Sequence, residues 1–220
     1  MLMILSCISM LIDHVGCVFF PDSLLWRMIG RLAMPIYGYF IAAGYMHTSD
    51  IGRYIKRIVL IAIISQLPFM LLFNIRKLNM CFAWLLSLLI IYGIDKRNYR
   101  VLAFAVIITA LTLLTISIDY SYYGICIPIL FYIRNKSNAF FKDILLFFGI
   151  IILALPFRNA VQCLAVLAFP IIVVAEKYNV TRITDTAVKR CYQWFYPAHM
   201  VALLIISGAV KMVTAIAYEK

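Results

Sequence analysis

The chain has 220 residues, of which 65% are hydrophobic and only 13% are charged, and its mean hydropathy is +1.00. A soluble domain needs a polar surface that this composition does not supply, so a water-soluble globular protein is excluded. The formal charge of +11 comes from 20 Lys and Arg residues scattered between apolar stretches. Such scatter is typical of loops beside a lipid headgroup layer, and it excludes a nucleic-acid-binding patch.

Nine apolar segments follow one another along the chain, and each is a candidate for a helix that crosses ~30 Å of hydrocarbon. They are 1–20, 24–45, 54–73, 80–94, 101–118, 120–133, 139–155, 159–175 and 192–217. The first lacks the basic start of a signal peptide and carries Asp13 and His14, so we interpret it as the first membrane helix. Apart from the polar stretch 176–190 the connections are short, which predicts a single transmembrane domain over 1–220.

The distribution of Lys and Arg predicts the orientation of this bundle. With nine crossings, one set of alternate loops holds 13 of these residues and the opposite set holds 4. Because the positive set faces the cytoplasm, the sequence predicts an all-α, polytopic bundle of about nine transmembrane helices with a cytoplasmic N-terminus. Segment 120–133 is the weakest. Without it the charge bias disappears, although a tilted or re-entrant element stays open for this segment.

The six cysteines form no CxxC pair, and most of them lie inside apolar stretches. Buried cysteine behaves as a small hydrophobic residue, so neither a disulfide framework nor a metal site is predicted.

Ionisable residues inside the apolar segments are candidate functional groups, because each costs several kcal/mol in hydrocarbon. His14 and Arg31 lie ~9 and ~10 Å from the predicted outer ends of two neighbouring helices, so they can share a cavity. In one interpretation His14 is a general base, while Asp13 and Asp119 neutralise arginines or orient the imidazole. In the other, an Asp–Arg pair only joins the helices and His14 is a satisfied hydrogen-bonding partner.

Other polar residues carry weaker signals. Arg27 lies near enough to the interface to extend its guanidinium to the headgroups. His199 follows Tyr196 and Pro197 near the predicted cytoplasmic start of the last segment, where it either reflects helix-start geometry or faces a cofactor from the cytoplasm. His47 lies in a predicted inner loop, where the simplest interpretation is a solvated residue.

Several short motifs resemble, in order, those of the TraX family. They are MLIDHVGCVFFP (10–21), IGRLAMPIYGYFIAAGYMHT (29–48), SQLPFMLLFN (65–74), NMCFAWLLSLL (79–89), IDYSYYGI (118–125) and WFYPAHM (194–200). Two positions depart from the family pattern: Ala43 stands where Glu is frequent, and Ala83 stands where Thr is usual. These departures bear on substrate choice.

The resemblance to TraX implies an acetyltransferase of the bacterial cell membrane that moves an acetyl group from acetyl-CoA to an amine, such as the N-terminus of a conjugative pilin or another peptide. The family is also similar to multi-helix membrane acyltransferases such as the lysosomal heparan-glucosaminide acetyltransferase. The resemblance implies that His14 is the base, that Asp13 orients it, and that Arg31 stabilises the oxyanion or positions the acceptor.

The same resemblance implies which residues bind the two substrates. They are Arg27, Asp119, Tyr123, His199, Tyr196 and His47. The basic inner loops would hold the phosphates of acetyl-CoA. The expected partners are acetyl-CoA, a peptide or other amine acceptor and the lipid bilayer, with no nucleic acid and no metal.

Two other functions remain open at this point. One is a small proton-coupled transporter in which Asp13, His14 and Arg31 form a relay, which predicts inverted repeats and helices broken near the midplane. The other is a non-catalytic assembly factor that packs against a small membrane peptide, which predicts that His14 can become Asn without loss of function.

Overall fold

The computed structural model describes residues 1–137, 141–157, 160–181 and 186–218. In these ranges the chain is helical and forms no β-strand. The helices are α1 (Leu2–Phe19), α2 (Leu24–Gly30), α3 (Ala33–His47), α4 (Ile51–Phe73), α5 (Met80–Asp95), α6 (Tyr99–Thr115), α7 (Ser121–Lys136), α8 (Lys142–Ala154), α9 (Ala168–Lys177) and α10 (Thr186–Tyr218), and a 3-10 segment, Ala160–Leu167, precedes α9. Each of the nine predicted segments falls on this helical structure, except that positions 139, 140 and 159 lie outside the described residues, as do positions 182–185 of the polar stretch.

Two of the predicted segments differ from the structure in a way that matters for the site. Segment 24–45 is broken between α2 and α3 at Arg31 and Leu32. Pro35 explains the break, because it has no N–H to donate to the carbonyl of Arg31 and so interrupts the helical ladder. The last segment begins earlier than predicted, at Thr186, so α10 reaches 33 residues.

Three helical stretches of the described chain are long and apolar enough to cross a membrane: Leu2–Phe19, Ile51–Phe73 and Arg190–Thr214. Two shorter apolar helices, α5 and α6, accompany them. Only Ala105 of α6 is buried, so that helix presents an almost wholly apolar surface outward, as a helix in lipid would. These features identify a membrane protein.

The centre of the bundle is α7, which contains most of segment 120–133, the weakest of the nine candidates for a membrane crossing. It packs against α3, α5 and α8, and Tyr123, Ile127 and Phe131 are completely buried. At 16 residues it is about 24 Å long as a helix. Tyr123 and Tyr132 of this helix are buried, so these polar aromatic side chains face protein rather than lipid.

The connections between helices alternate between two ends of the bundle. At the first end, the connections after α4 and α6 run side by side, and the amides of Leu78 and Asp119 donate to the carbonyls of Ser117 and Leu78, each over 2.9 Å. At the second end, Asp95 of α5 accepts from the hydroxyl of Tyr132 at 2.7 Å. The two ends therefore have separate polar networks.

Salt bridges reinforce the second end. Arg134 of α7 is buried and lies 2.7 Å from both Asp143 of α8 and Glu176 of α9. Lys136 lies 3.2 Å from Asp95. These contacts join the ends of four helices.

Candidate functional site

A cavity of about 360 Å³ lies at the first end of the bundle, and we call it the polar cavity. Its lining residues come from α1, α2, α4, the connections after α4 and α6, and the region around the 3-10 segment. They are Asp13, His14, Cys17, Arg27, Arg31, Phe69, Phe73, Ile75, Lys77, Asp119, Tyr120, Phe157, Val161 and Gln162. The prediction that His14 and Arg31 share a cavity is confirmed.

The imidazole of His14 contacts a second imidazole, that of His199 on α10. Nδ1 of His14 lies 2.7 Å from Nε2 of His199, and the two rings are nearly parallel, at 12°. Nδ1 of His199 lies 2.7 Å from the carbonyl oxygen of Phe195. The ring of Phe73 closes one side of His14 with an edge contact at 5.1 Å between centroids.

This chain of contacts fixes the proton positions of the neutral pair. The carbonyl of Phe195 can only accept a hydrogen bond, so Nδ1 of His199 carries the proton. Nε2 of His199 then accepts from the Nδ1–H of His14. Nε2 of His14 is consequently left with a lone pair, which is the state a general base requires.

The expectation that Asp13 orients His14 is wrong. The carboxylate of Asp13 accepts from Nη2 of Arg31 at 3.0 and 3.3 Å, and its Oδ1 lies 3.6 Å from Nε of Arg27. The side chain that orients His14 is His199. Asp13 and His14 are adjacent on α1, so their side chains leave the helix in directions about 100° apart and serve different partners.

Each of the three side-chain nitrogens of Arg31 donates a hydrogen bond. Besides the contact to Asp13, its Nε donates to the carbonyl of Arg27 at 3.1 Å, and its Nη1 donates to Oε1 of Gln162 at 2.8 Å. Its guanidinium also lies 5.4 Å from the ring centroid of Tyr120. A buried cation fixed in this way positions its neighbours, and it has little freedom to follow a reacting substrate.

Gly30 makes the Asp13–Arg31 contact sterically possible. A Cβ at this position would collide with the carboxyl group of Asp13. The small residue lets α1 and α2 approach closely, as small residues do between membrane helices.

Arg27 is the more available cation of the polar cavity. Its side chain is 36% exposed, against 8% for Arg31. Its Nη1 contacts the sulfur of Cys17. Lys77, in the connection after α4, is also exposed and lines the same cavity.

Asp119 lies in the linker between α6 and α7 and lines the polar cavity. Its carboxylate makes no ion pair within 4 Å to any cation among the described residues. Burial of the carboxylate raises the pKa of Asp119 to about 6, although the charges of Lys77 and Arg31 act in the opposite direction.

A second, larger cavity of about 1200 Å³ lies at the second end of the bundle, and we call it the large cavity. It extends from polar residues such as His47, Ser49 and Arg57 to an aromatic interior that includes Trp84 and Tyr196. Ala43 lines it too, so a glutamate at that position would place a charge in this cavity.

The remaining candidates divide between the cavities in a way that the sequence did not predict. Tyr196 and His47 line the large cavity. Tyr123 is completely buried and lines neither of the two cavities, and it contacts Phe157, which lines the polar cavity. Its expected role in substrate binding stays a prediction. His199 is misplaced in the prediction: it lies 13 residues after the start of α10, or ~20 Å along the helix, rather than near the helix start.

His199 lies between the two cavities. On one side it contacts His14, which lines the polar cavity. On the other side its ring lies 5.8 Å, between centroids, from that of Tyr196, which lines the large cavity. His199 therefore contacts one residue that lines the polar cavity and one residue that lines the large cavity.

A family model described as TraX protein matches residues 1–207. The chain belongs to the TraX family. The match covers both members of the His14–His199 pair and all residues of the polar cavity. In the described ranges of this TraX-family chain, no group of three or more His, Cys, Asp or Glu residues is arranged to hold a metal ion.

Two curated proteins are similar to parts of the chain. An uncharacterized protein of Rickettsia prowazekii (strain Madrid E) is 36% identical over 70 residues, which cover 32% of this chain and 26% of that protein. A probable fimbrial assembly protein FimC, serogroup H1, of Dichelobacter nodosus is 30% identical over 73 residues, which cover 31% of this chain and 29% of that protein. The chain thus spans less than a third of each relative's length in these matches. No solved structure matches the chain.

Sequence reasoning missed Gln162, Lys77 and Tyr120. Gln162 is a buried amide in an otherwise apolar segment, and such an isolated polar residue was the signal that could have indicated it. Lys77 and Tyr120 lie in connections whose approach to each other depends on the pairing of Leu78 with Ile118, for which the sequence has no local signal.

Proposed function

We propose that this TraX-family chain is a membrane-embedded acetyltransferase that transfers acetyl from acetyl-CoA to the amine of a peptide. The observation that supports it most strongly is the 2.7 Å contact between Nδ1 of His14 and Nε2 of His199, beside a cavity that also holds cations. From this contact and that of His199 with the carbonyl of Phe195 we infer that Nε2 of His14 keeps a lone pair. A neutral imidazole in this state can take a proton from an attacking amine.

The reaction would proceed by addition and elimination. The amine nitrogen attacks the thioester carbonyl carbon, a C–N bond forms, and the nitrogen's proton passes to Nε2 of His14. Arg27 stabilises the oxyanion, because it is the exposed guanidinium of the cavity. The C–S bond then breaks, and the CoA thiolate takes the proton from His14, which returns to its neutral form. His199 stabilises the intermediate imidazolium by accepting from its Nδ1–H.

The large cavity would receive the donor. Its volume of about 1200 Å³ exceeds the ~300–1,000 Å³ of common small-ligand pockets, which suits a molecule as long as CoA. Arg57 and His47 at its polar end would face the phosphates, and the apolar interior would hold the pantetheine arm. The thioester would pass the layer formed by Tyr196 and His199, so that its carbonyl reaches His14 and Arg27 in the polar cavity.

The layout favours nine membrane crossings, with the N-terminus and the large-cavity end in the cytoplasm. Its support is the alternation of connections between the two ends, together with the excess of Lys and Arg at the large-cavity end. A membrane-impermeant maleimide tests it. On intact cells we expect labelling of Arg76→Cys above the wild-type background and none of Arg97→Cys; the reverse pattern contradicts the topology.

The acceptor would be the N-terminus of a pilin-like or other peptide in a bacterial cytoplasmic membrane. Membership of the TraX family supports a role in conjugation or pilin processing. The partial similarity to a probable fimbrial assembly protein supports the same class of partner. The similarity to an assembly protein also favours a second candidate, a non-catalytic assembly factor that binds a peptide without modifying it.

Transfer to a short peptide would separate these two functions. The purified chain in detergent is mixed with acetyl-CoA and an apolar peptide that has a free N-terminus, and the peptide's mass is followed over time. Enzyme-dependent gain of one acetyl group supports the acetyltransferase. Saturable peptide binding without any mass change, at millimolar acetyl-CoA, supports the assembly factor instead.

A further inference from the structure

We propose that Asp119 selects the acceptor by binding the ammonium form of its amine in the polar cavity. This inference rests on the acetyltransferase function proposed above, and it specifies the acceptor class as an aliphatic amine that is protonated at neutral pH. Hydroxyl acceptors and anions would not be bound in this way.

The first argument is the distribution of charge in the polar cavity. Its lining has two carboxylates, those of Asp13 and Asp119. Asp13 is already paired with Arg31 at 3.0 Å and lies near Arg27. Asp119 has no such partner among the described residues, so its carboxylate is the one that an incoming cation can neutralise.

The second argument is that the backbone carrying Asp119 is held in place before any ligand arrives. The amide of Asp119 donates to the carbonyl of Leu78 at 2.9 Å, and the amide of Leu78 donates to the carbonyl of Ser117 at 2.9 Å. The connection that carries Leu78 is itself anchored, since Gln66 donates from Nε2 to the carbonyl of Lys77 at 2.7 Å. A half-buried carboxylate on a fixed backbone loses less entropy on binding a cation than one on a mobile loop.

The third argument is the position of the reacting groups. Asp119 and His14 line one cavity of about 360 Å³, so an amine held by the carboxylate is near the lone pair of His14. The ammonium loses one proton to water, and the nitrogen gains the lone pair with which it attacks. The second proton of the nitrogen then passes to Nε2 of His14, as in the mechanism above. Lys77, the other exposed cation of the cavity, is then available to the peptide carbonyl next to the amine, which favours an α-amine over a simple alkylamine.

Peptide binding to the full chain in detergent tests this inference. The probes are alanyl-leucyl-leucinamide with a free N-terminus and the same peptide with an acetylated N-terminus, titrated calorimetrically at pH 7. We expect the free amine to bind about tenfold more tightly to the wild type, because the acetylated peptide leaves Asp119 without a cation. The variant Asp119→Asn should lose this preference, and Asp22→Asn, which removes an exposed carboxylate outside the cavity, should keep it.

A second measurement covers the case in which Asp119→Asn fails to fold. The wild type at pH 5 should show a reduced preference, since much of the carboxylate is then protonated. Absence of any preference in the wild type, or an undiminished preference in folded Asp119→Asn, would overturn the inference. Preferential binding of the free amine without acetyl transfer would contradict the proposed function but would still support the ammonium site at Asp119.

Discussion

Nδ1 of His14 lies 2.7 Å from Nε2 of His199, a contact that joins the first helix of the chain to the last across 185 residues. The contact has two consequences. It fixes the tautomer of His14, and it places a side chain of α10 between the polar cavity and the large cavity. We infer that His199 is a positioning residue for His14.

Replacement of His199 by Phe should lower kcat for acetyl transfer about 10- to 100-fold, the usual effect of losing a partner that orients a reactive side chain. The KM for acetyl-CoA should change little. Steady-state kinetics in detergent measure both constants. His199→Gln retains an oxygen that can accept from Nδ1–H of His14, so it should recover part of the rate. Equal losses in the two variants would indicate that His199 only fills space.

Replacement of Asp13 by Asn should destabilise the fold. Arg31 is buried and its charge is balanced by Asp13 at 3.0 Å, and removing one partner of a buried ion pair costs about 3–5 kcal/mol. The midpoint of thermal unfolding in detergent should fall clearly. Asp50→Asn is the matched control, because its ion pair with Arg53 is exposed and should contribute little. Equal midpoints for both variants would contradict a stabilising role for the Asp13–Arg31 pair.

Binding of a peptide amine should depend on pH through Asp119. The pKa of this carboxyl is raised from 3.8 to about 6 by burial, in the presence of Lys77, Arg31, Asp13 and Tyr120. Binding should therefore strengthen as pH rises through 6, where the carboxylate forms, and weaken again above about pH 8, where an α-amine loses its proton. The raised pKa also means that Asp119 contributes less to stability as pH rises from 4 to 6.

Calorimetric titrations of the free-amine peptide between pH 5 and 9 would measure this profile. In Asp119→Asn the rise near pH 6 should disappear, while the decline above pH 8 remains because it belongs to the peptide. Persistence of the rise in the variant would show that another group of the cavity causes it.

Replacement of Arg57 by Gln should weaken the binding of acetyl-CoA. Arg57 lines the polar end of the large cavity, and loss of one exposed phosphate contact should raise the KM for acetyl-CoA roughly fivefold with kcat unchanged. Arg53→Gln provides the control, since Arg53 is exposed on the same helix and does not line the cavity. An identical KM in the two variants would exclude the large cavity's polar end as the phosphate site.

The helices could be predicted from the sequence because the length of an apolar run is a local property. The shared depth of His14 and Arg31 followed in the same way, since a tight connection makes their helices neighbours. The predicted segment 24–45 did not include the break between α2 and α3, although Pro35, whose missing N–H interrupts the ladder at Arg31, was a signal for it.

The partner of His14 could not be predicted, because it depends on how α10 is placed and rotated against α1. Since α10 begins at Thr186, His199 lies deep in the bundle. This helix start could not be predicted, because residues 186–190 belong to a polar stretch without hydrophobic periodicity. Burial was equally hard to predict for Tyr123: a motif resemblance implied a binding role, and the structure places its side chain against Phe157 in the interior.

The most direct test of the central claim is acetyl transfer by the wild type beside His14→Ala. Both proteins are purified in detergent and given acetyl-CoA and the free-amine peptide, and Ile8→Ala, an exposed position on the same helix, serves as the control. We predict transfer by the wild type and the control, loss of about 100-fold or more in His14→Ala, and unchanged acetyl-CoA binding in all three. Transfer at the wild-type rate by folded His14→Ala, or no acetyl-CoA binding by the wild type at millimolar ligand, would contradict the account.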